Sequence, residues 1–195
     1  ATLLACPLIE DISRTAPGVT IVFKPWQGQE AVTREILDGA TDIAIAVLDR
    51  EIENIEIRKL IDVDYVVARR RDHPAAAGFT IDAWLAWPHV VVSGQGDLRT
   101  PLDAQLAASG RRRRVGLTVP SFQLVPRVLA ETNLIAMLPR QSVATKVEFD
   151  LVFHQPPVSV DGFPLHIAWH ARQNRDTAVQ HVVEVIRAVF RETGV

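Results

Sequence analysis

The chain has 195 residues, 48 % of them apolar, enough for a buried core in one large domain or two small lobes. Its 21 basic and 23 acidic residues leave a net charge of −2, without the basic excess of a compact nucleic-acid-binding domain. A single cysteine, Cys6, excludes an intrachain disulfide and fits a reducing compartment, and no apolar run reaches the roughly 18–20 residues that span a bilayer.

Residues 2–14 read as an amphipathic helix, with Leu3, Leu4, Leu8 and Ile12 inward and Cys6 as a small core residue. Leu3-Leu-Ala-Cys6 also has the form of a lipoprotein acylation box. That reading needs a charged n-region and a longer apolar run before it, so the helix is the expectation. Ala16-Pro-Gly18 is a turn, and Val19–Phe23 is expected to be a buried strand. Trp26-Gln-Gly28 is a turn opening a helix with apolar residues Val32, Ile36 and Leu37, closed by Gly39 at its C′ position. Asp42–Val47 is almost wholly apolar, the pattern of a central parallel strand. Ile55–Leu60 and Asp64–Arg69 are further strands. At Arg69-Arg-Arg-Asp-His-Pro74 charge and proline cluster and three alanines precede Gly78, which marks the end of a first lobe.

The stretch 88–139 alternates strand and helix. Pro88–Val92 leads into a glycine-broken turn and a short helix from Thr100 to Ser109; Arg114–Val119 leads into a helix beginning near Ser121; Asn133–Pro139 is a third strand. Pro126 inside that second helix predicts a kink or a later start. Glu148–Phe153 and Phe163–Trp169 are the last strands. Residues 174–191 form the clearest helix, with Val179, Val182, Val183, Ile186, Val189 and Phe190 on one stripe. This alternation predicts an α/β architecture with mostly parallel sheet. The terminal strand and helix need a sheet to cover, so the chain is expected to return. Residues 1–70 plus 161–195 then form lobe I and residues 71–160 lobe II, with crossings near 69–74 and 154–163 and a hinged ligand cleft between the lobes.

In such sheets ligands sit at the carboxyl ends of the strands. Three turns there are candidates. Ser93-Gly-Gln-Gly-Asp97 lacks the third glycine of a dinucleotide fingerprint, because Arg99 stands in its place. It reads either as a ligand loop or as an ordinary strand-to-helix turn. It is followed by Thr100-Pro-Leu-Asp103, a helix start with an N-cap, proline at N1 and an acid at N3, and a free helix N-terminus attracts anions. Ser121 can cap the next helix, and Phe122 beside it either covers a flat ligand or joins the core. Trp26, Gln27 and Gly28 form the third turn. Arg111–Arg114 invites a nucleic-acid reading, but a run after Gly110 and before a strand is expected to be a solvated loop. His166 and His170 in one strand would lie about 13 Å apart, too far to share a metal ion. His181 and Glu184 are a half-site without visible partners. No serine stands in Gly-x-Ser-x-Gly, and no paired carboxylates mark a catalytic turn.

Several motifs together carry a resemblance. Leu3-Leu-Ala-Cys-Pro-Leu8 is followed by Ala16-Pro-Gly-Val19, and Leu37-Asp-Gly-Ala-Thr-Asp-Ile-Ala-Ile45 by Arg71-Asp-His-Pro74. Pro88–Ser93, Val115–Phe122 and Thr132-Asn-Leu-Ile-Ala-Met-Leu-Pro-Arg140 complete the order. In that order and spacing the chain resembles the effector-binding domain of LysR-type transcriptional regulators, in the branch of nodulation and aromatic-degradation regulators. The resemblance implies a periplasmic-binding-protein-like (type II) fold of two α/β lobes. It also implies a DNA-binding helix-turn-helix upstream of this chain, with the family's first strand before Ala1. It implies an effector cleft formed by Thr2, Trp26, Gln27, Gly28, Gln29, Ser93, Gly94, Gln95, Gly96, Asp97, Pro120, Ser121 and Phe122. The effector is expected to be a small anionic, phenolic or aromatic compound, with no catalysis, cofactor, metal or membrane involved. The partners implied are a second copy or three (homodimer or homotetramer), and DNA only through the upstream domain, in the cytoplasm. Effector binding would shift the population of lobe arrangements and so re-angle the DNA-binding arms. Two alternatives stand beside this: an exported solute-binding protein of a transporter, and an enzyme of the dehydratase kind, for which Asp97 is the one obvious acid in the turns.

Overall fold

A computed structural model describes residues 2–48, 50–76, 79–143 and 149–192. In chain order the elements are α1 (Thr2–Thr15), α2 (Gln29–Asp38), β1 (Ile43–Ala46), β2 (Ile55–Val63), β3 (Tyr65–Arg70), α3 (Ile81–Leu85), β4 (Pro88–Val92), α4 (Pro101–Ala108), β5 (Arg114–Val119), α5 (Val125–Glu131), β6 (Ile135–Pro139), β7 (Leu151–His154), β8 (Phe163–His170) and α6 (Thr177–Glu192). They form two compact units, residues 1–63 with 163–195, and residues 64–162.

The first unit is built on a sheet of order β1-β8-β2, with β8 antiparallel to both neighbours. Side chains alternate across a strand, and β8 uses both faces. Ile167 and Trp169 meet Leu4, Leu8 and Ile12 of α1 and Val182, Val183, Val185 and Ile186 of α6. Ala168, on the other face, meets Ile36 of α2 with Ala44 and Ala46 of β1. The apolar stripes of α1 and α6 therefore cover one face of the sheet and α2 the other. Gly39 ends α2 at φ 74°, in the left-handed region that favours glycine, and the Glu35 carbonyl accepts from the Ala40 N–H at 2.8 Å.

The second unit has a five-stranded sheet, β5-β4-β6-β3-β7. β4 lies parallel to β5 and β6, while β3 runs antiparallel to β6 and β7. One face packs on α5 through Val125 and Leu129, with Ala68, Val90 and Leu138 beneath. The other packs on α3 and α4 through Trp84, Leu102 and Leu106, with Val67 and Ile135 beneath. α3 is capped by Thr80, whose Oγ1 accepts from the Ala83 N–H at 3.2 Å.

Several expectations are corrected. Val19–Phe23 is not a strand: Val22 is 76 % and Phe23 50 % exposed, and among the described residues no strand pairs with this stretch. Extended backbone becomes sheet only beside a partner, whatever its side chains. β1 is not a central parallel strand; among the described residues it pairs with β8 alone, and antiparallel. The strand expected over Asp64–Arg69, placed in lobe I, is β3 and is hydrogen-bonded into the second unit's sheet, so the first crossing falls between Val63 and Asp64. Cys6 is exposed on α1, and Leu37 is exposed on α2. The strand expected from Glu148 begins at Leu151, and Glu148 lies outside the described residues. Pro126 has the outcome of a later helix start: residues Phe122–Leu124 form a 3₁₀ turn, and α5 begins at Val125 with the proline at its N-terminus.

Candidate functional site

Within the second unit, two of the three candidate turns are neighbours. They follow adjacent parallel strands, with Val92 of β4 opposite Val119 of β5, and the Val119 carbonyl accepts from the Ser93 N–H at 2.9 Å. Each turn is organised by a serine. The Ser93 Oγ accepts from the N–H groups of Gln95 (3.2 Å) and Asp97 (3.0 Å) and donates to the Asp97 Oδ2 at 2.8 Å. Such local bonds are the reason serine and aspartate favour turns. Gly96, at φ 80°, makes the reversal that a side chain would oppose. The Ser121 Oγ accepts from the Gln123 N–H at 3.2 Å at the start of the 3₁₀ turn. Gly94, Gln95, Gly96, Asp97, Pro120 and Phe122 are exposed at this strand-end surface, and Ser93 and Ser121 half-buried.

The N-terminus of α4 beside this turn is not a vacant anion site. The Asp103 carboxylate accepts from the Thr100 N–H at 2.7 Å, and Arg113 donates to it through Nε (2.9 Å) and Nη2 (2.7 Å). The Arg113 Nη2 also donates to the Thr100 Oγ1 at 3.0 Å. Burial pushes the Asp103 carboxyl up, but the bonds from Arg113 and Thr100 outweigh it and hold the group below the usual carboxylate range. Arg113 comes from the arginine run expected to be a solvated loop. Its side chain is 3 % exposed, whereas Arg111, Arg112 and Arg114 are exposed. Its only sequence signal was the single acid ten residues upstream, which spacing alone does not connect.

In the first unit, Gly28 precedes α2 with φ 99° and its carbonyl accepts from the Val32 N–H at 3.2 Å. Trp26 and Gln27 are exposed and Gln29 opens the helix. Thr2 begins α1, and its side chain lies outside the described residues. Sequence reasoning missed Lys24. Its Nζ donates to the Glu35 Oε2 (3.1 Å), the Ala40 carbonyl (2.8 Å) and the Thr41 Oγ1 (3.2 Å), tying the irregular stretch before Trp26 to the end of α2. The Thr41 hydroxyl and then Lys24 hold the Glu35 carboxyl below its ordinary value.

Two of the three histidines named from the sequence have structural partners, while the His166 Nδ1 is buried without one among the described residues. The His170 Nδ1 accepts from the Arg172 N–H at 3.1 Å, and His181 Nε2 lies 2.7 Å from the Thr15 Oγ1. Among the described residues no three His, Cys, Asp or Glu side chains come together as a metal site would require. Asp97, the acid named for a catalytic reading, closes its own turn.

A profile described as the LysR substrate binding domain matches residues 1–191. The chain belongs to the LysR substrate binding domain family. It is 28 % identical over 189 residues to the HTH-type transcriptional activator NagR of a Ralstonia species, covering 95 % of this chain and 62 % of that protein. It is 28 % identical over 173 residues to the HTH-type transcriptional activator NahR of Pseudomonas putida, covering 88 % and 57 %. The chain thus spans about three-fifths of the length of these relatives. The regulatory domain of MexT, a transcriptional activator in Pseudomonas aeruginosa, superposes with a TM-score of 0.80 at 27 % identity, covering 95 % of this chain and 90 % of that one. Full-length BenM, as its E226K mutant, shares the fold at a TM-score of 0.73 and 18 % identity, covering 98 % and 64 %. This LysR-type domain has the periplasmic-binding-protein-like type II fold, with its two α/β units and mixed sheets.

Proposed function

We propose that this LysR-type domain senses a small anionic or aromatic effector and passes the signal to a DNA-binding domain that controls transcription. The observation that carries the reading is the family match along residues 1–191. The second unit supports it locally. The turns at Ser93–Asp97 and Pro120–Phe122 stand side by side at the carboxyl ends of parallel strands, where open α/β sheets bind ligands. Their exposed backbone, with Phe122 beside it, offers donors and a flat apolar surface to a ring carrying an acid group. With the Asp103 charge already paired to Arg113, an anion would be met by the turn amides and the Ser93 and Ser121 hydroxyls, exchanging the bonds they now make within their own turns. Trp26, Gln27, Gly28, Gln29 and Thr2 are proposed as the first unit's contribution.

The domain is further proposed to act without catalysis, in the cytoplasm, as a homodimer or homotetramer, and to reach DNA only through another domain. The exposed apolar side chains of Ile9, Val22 and Phe23 in the first unit support self-association. Among the described residues no helix is long and apolar enough to cross a membrane.

Calorimetry with benzoate, benzylamine and glucose tests the sensing role. Saturable binding of benzoate that weakens in Ser93→Ala and Ser121→Ala supports it; tight binding of the amine or the sugar alone overturns it.

A further inference from the structure

A buried cation without a counter-charge lies inside the second unit, and its reading does not rest on that of the Ser93 and Ser121 turns. β3 pairs with β7 so that Val67 stands opposite His154 and Arg69 opposite Val152. Residues directly opposite share a face, and so do residues two apart on one strand. Arg69 and His154 are therefore diagonal neighbours on the face of Val67, the face that α3 and α4 cover. Among the described residues β7 is the last strand on this side of the sheet, so the pair stands at the sheet's edge. Arg69 is near the carboxyl end of β3, which runs antiparallel to β6, while β6 runs parallel to β4. That puts it toward the end of the sheet opposite the strand-end turns.

Arg69 is 4 % exposed. Its Nη1 donates to the carbonyls of Arg70 (3.1 Å) and Arg71 (3.2 Å), while its Nε–H is buried without a partner among the described residues. A guanidinium does not lose its proton in a protein, and a buried charge is costly unless an opposite charge meets it. The acids close to it in sequence and in the ladder are already used. Asp72 pairs with Arg70, and Asp150 pairs with Arg71 at 2.7 Å. Among the described residues Arg69 itself has no ion pair. His154 repeats the pattern, with its Nε2 buried and unpartnered. Phe79 joins the two. Its ring stacks on the His154 imidazole, 4.5 Å between centroids, and its centroid lies 5.9 Å from the Arg69 guanidinium carbon. Burial and then the Arg69 charge hold the His154 ring below its ordinary pKa, so the ring is neutral at pH 7. The cluster thus carries one positive charge and, with the imidazole proton on Nε2, two buried N–H donors that nothing in the described chain accepts.

We propose that Arg69 and His154 hold a small inorganic monoanion of the size of chloride at the edge of this sheet, beside Phe79. One charge on the cluster calls for one charge on the ion. The near-complete cover over Arg69 admits an ion about as large as a water molecule, roughly 30 Å³, and keeps out an organic acid. The ion accepts from the Arg69 Nε–H and the His154 Nε2–H and offsets the buried guanidinium. It ties β3, β7 and the Phe79 segment that leads into α3 to one another, so the second unit is more stable with the ion than without it.

The test is a titration of the 195-residue chain with sodium chloride. The chain starts in sodium gluconate at pH 7, and total ionic strength is held constant. The Arg69 ¹⁵Nε–¹H resonance, assigned by its loss in Arg69→Lys, should shift saturably with chloride and respond at least tenfold more weakly to benzoate. The urea midpoint of the second unit, read from its amide exchange, should rise over the same chloride range. His154→Phe keeps a ring to stack on Phe79 but removes the donor, and should weaken chloride several-fold at the Arg69 resonance. Arg69→Met should abolish the chloride-dependent rise in the urea midpoint and, in gluconate, should be at least as stable as the parent, because it strands no charge. No Arg69 shift, a shift that never saturates, an equal response to benzoate, or a chloride response that survives both His154→Phe and Arg69→Met would overturn the proposal.

Discussion

Arg113→Met is the most informative perturbation of the second unit, because it breaks the pair that holds α4 beside the Ser93–Asp97 turn. Arg113 is 3 % and Asp103 21 % exposed, and the two share two hydrogen bonds of 2.9 and 2.7 Å. Methionine keeps much of the buried stem volume but leaves the carboxylate without its cation. Breaking a buried pair on one side costs roughly 3–5 kcal/mol. Asp103 is only partly buried and keeps the Thr100 N–H at 2.7 Å, so the low end applies, about 3 kcal/mol. Asp103→Leu alone should cost about as much, since it strands a buried guanidinium and also removes the bond to Thr100. The double variant strands no charge. It loses mainly the cap of α4, about 1 kcal/mol. The coupling energy is therefore large and the double variant is more stable than either single one. Urea unfolding read by hydrogen exchange of the α4 amides gives the values locally, because two units can unfold in separate steps. If Arg113→Met stays within 0.5 kcal/mol of the parent, or if the double variant costs the sum of the singles, the reasoning is wrong.

Acid should destabilise the second unit through His89. Its ring is fully buried against Trp84, its Nε2–H donates to the Trp84 carbonyl at 3.1 Å, and its Nδ1 has no partner among the described residues. Burial pushes its pKa down from 6.5 to about 4. Between those values the unfolded chain binds a proton that the folded one refuses. Stability is then full above pH 6.5 and falls by about 3 kcal/mol as the pH drops to 4. Urea midpoints between pH 7 and 4 check this, and a His89→Gln variant should lose most of that slope. Gly39→Ala should cost about 1 kcal/mol at the end of α2, from the left-handed φ of 74°. The added Cβ would also meet the Arg172 Nη2, a flexible tip that can move aside. Thermal unfolding reads it, and an unchanged midpoint would contradict the backbone argument. Val22→Glu with Phe23→Glu should lower the sedimentation mass of any self-associated species, because both side chains are largely exposed and apolar.

How far the sequence carries depends on whether an element needs its neighbours. The α6 stripe from Val182 to Ile186 and the α1 stripe Leu4, Leu8 and Ile12 are set by period alone, and they pack as read. Thr100, Pro101 and Asp103 mark the start of α4 in the same local way. Val19–Phe23 has equally good strand composition, yet pairing decides strand formation and composition does not report a partner. β1 looks like a buried parallel strand because its run is apolar, but an antiparallel strand covered on both faces has the same pattern. β3 fell in the wrong lobe for a similar reason: the arginines after it look like a boundary, whereas its ladder partners are β6 and β7. α3 went unread because its five residues are too short to show a period. At the candidate site the turns were legible from serine, glycine and aspartate. The inward turn of Arg113 and the reach of Lys24 depend on tertiary neighbours and were not.

The most direct test of the sensing role is a ¹⁵N–¹H titration of the backbone amides with benzoate. An effector held at the strand-end turns predicts saturable shifts concentrated at Gln95, Gly96, Asp97 and Gln123, lost in Ser93→Ala with the fold intact. Binding that leaves these amides still, or that is unchanged by Ser93→Ala, would contradict it.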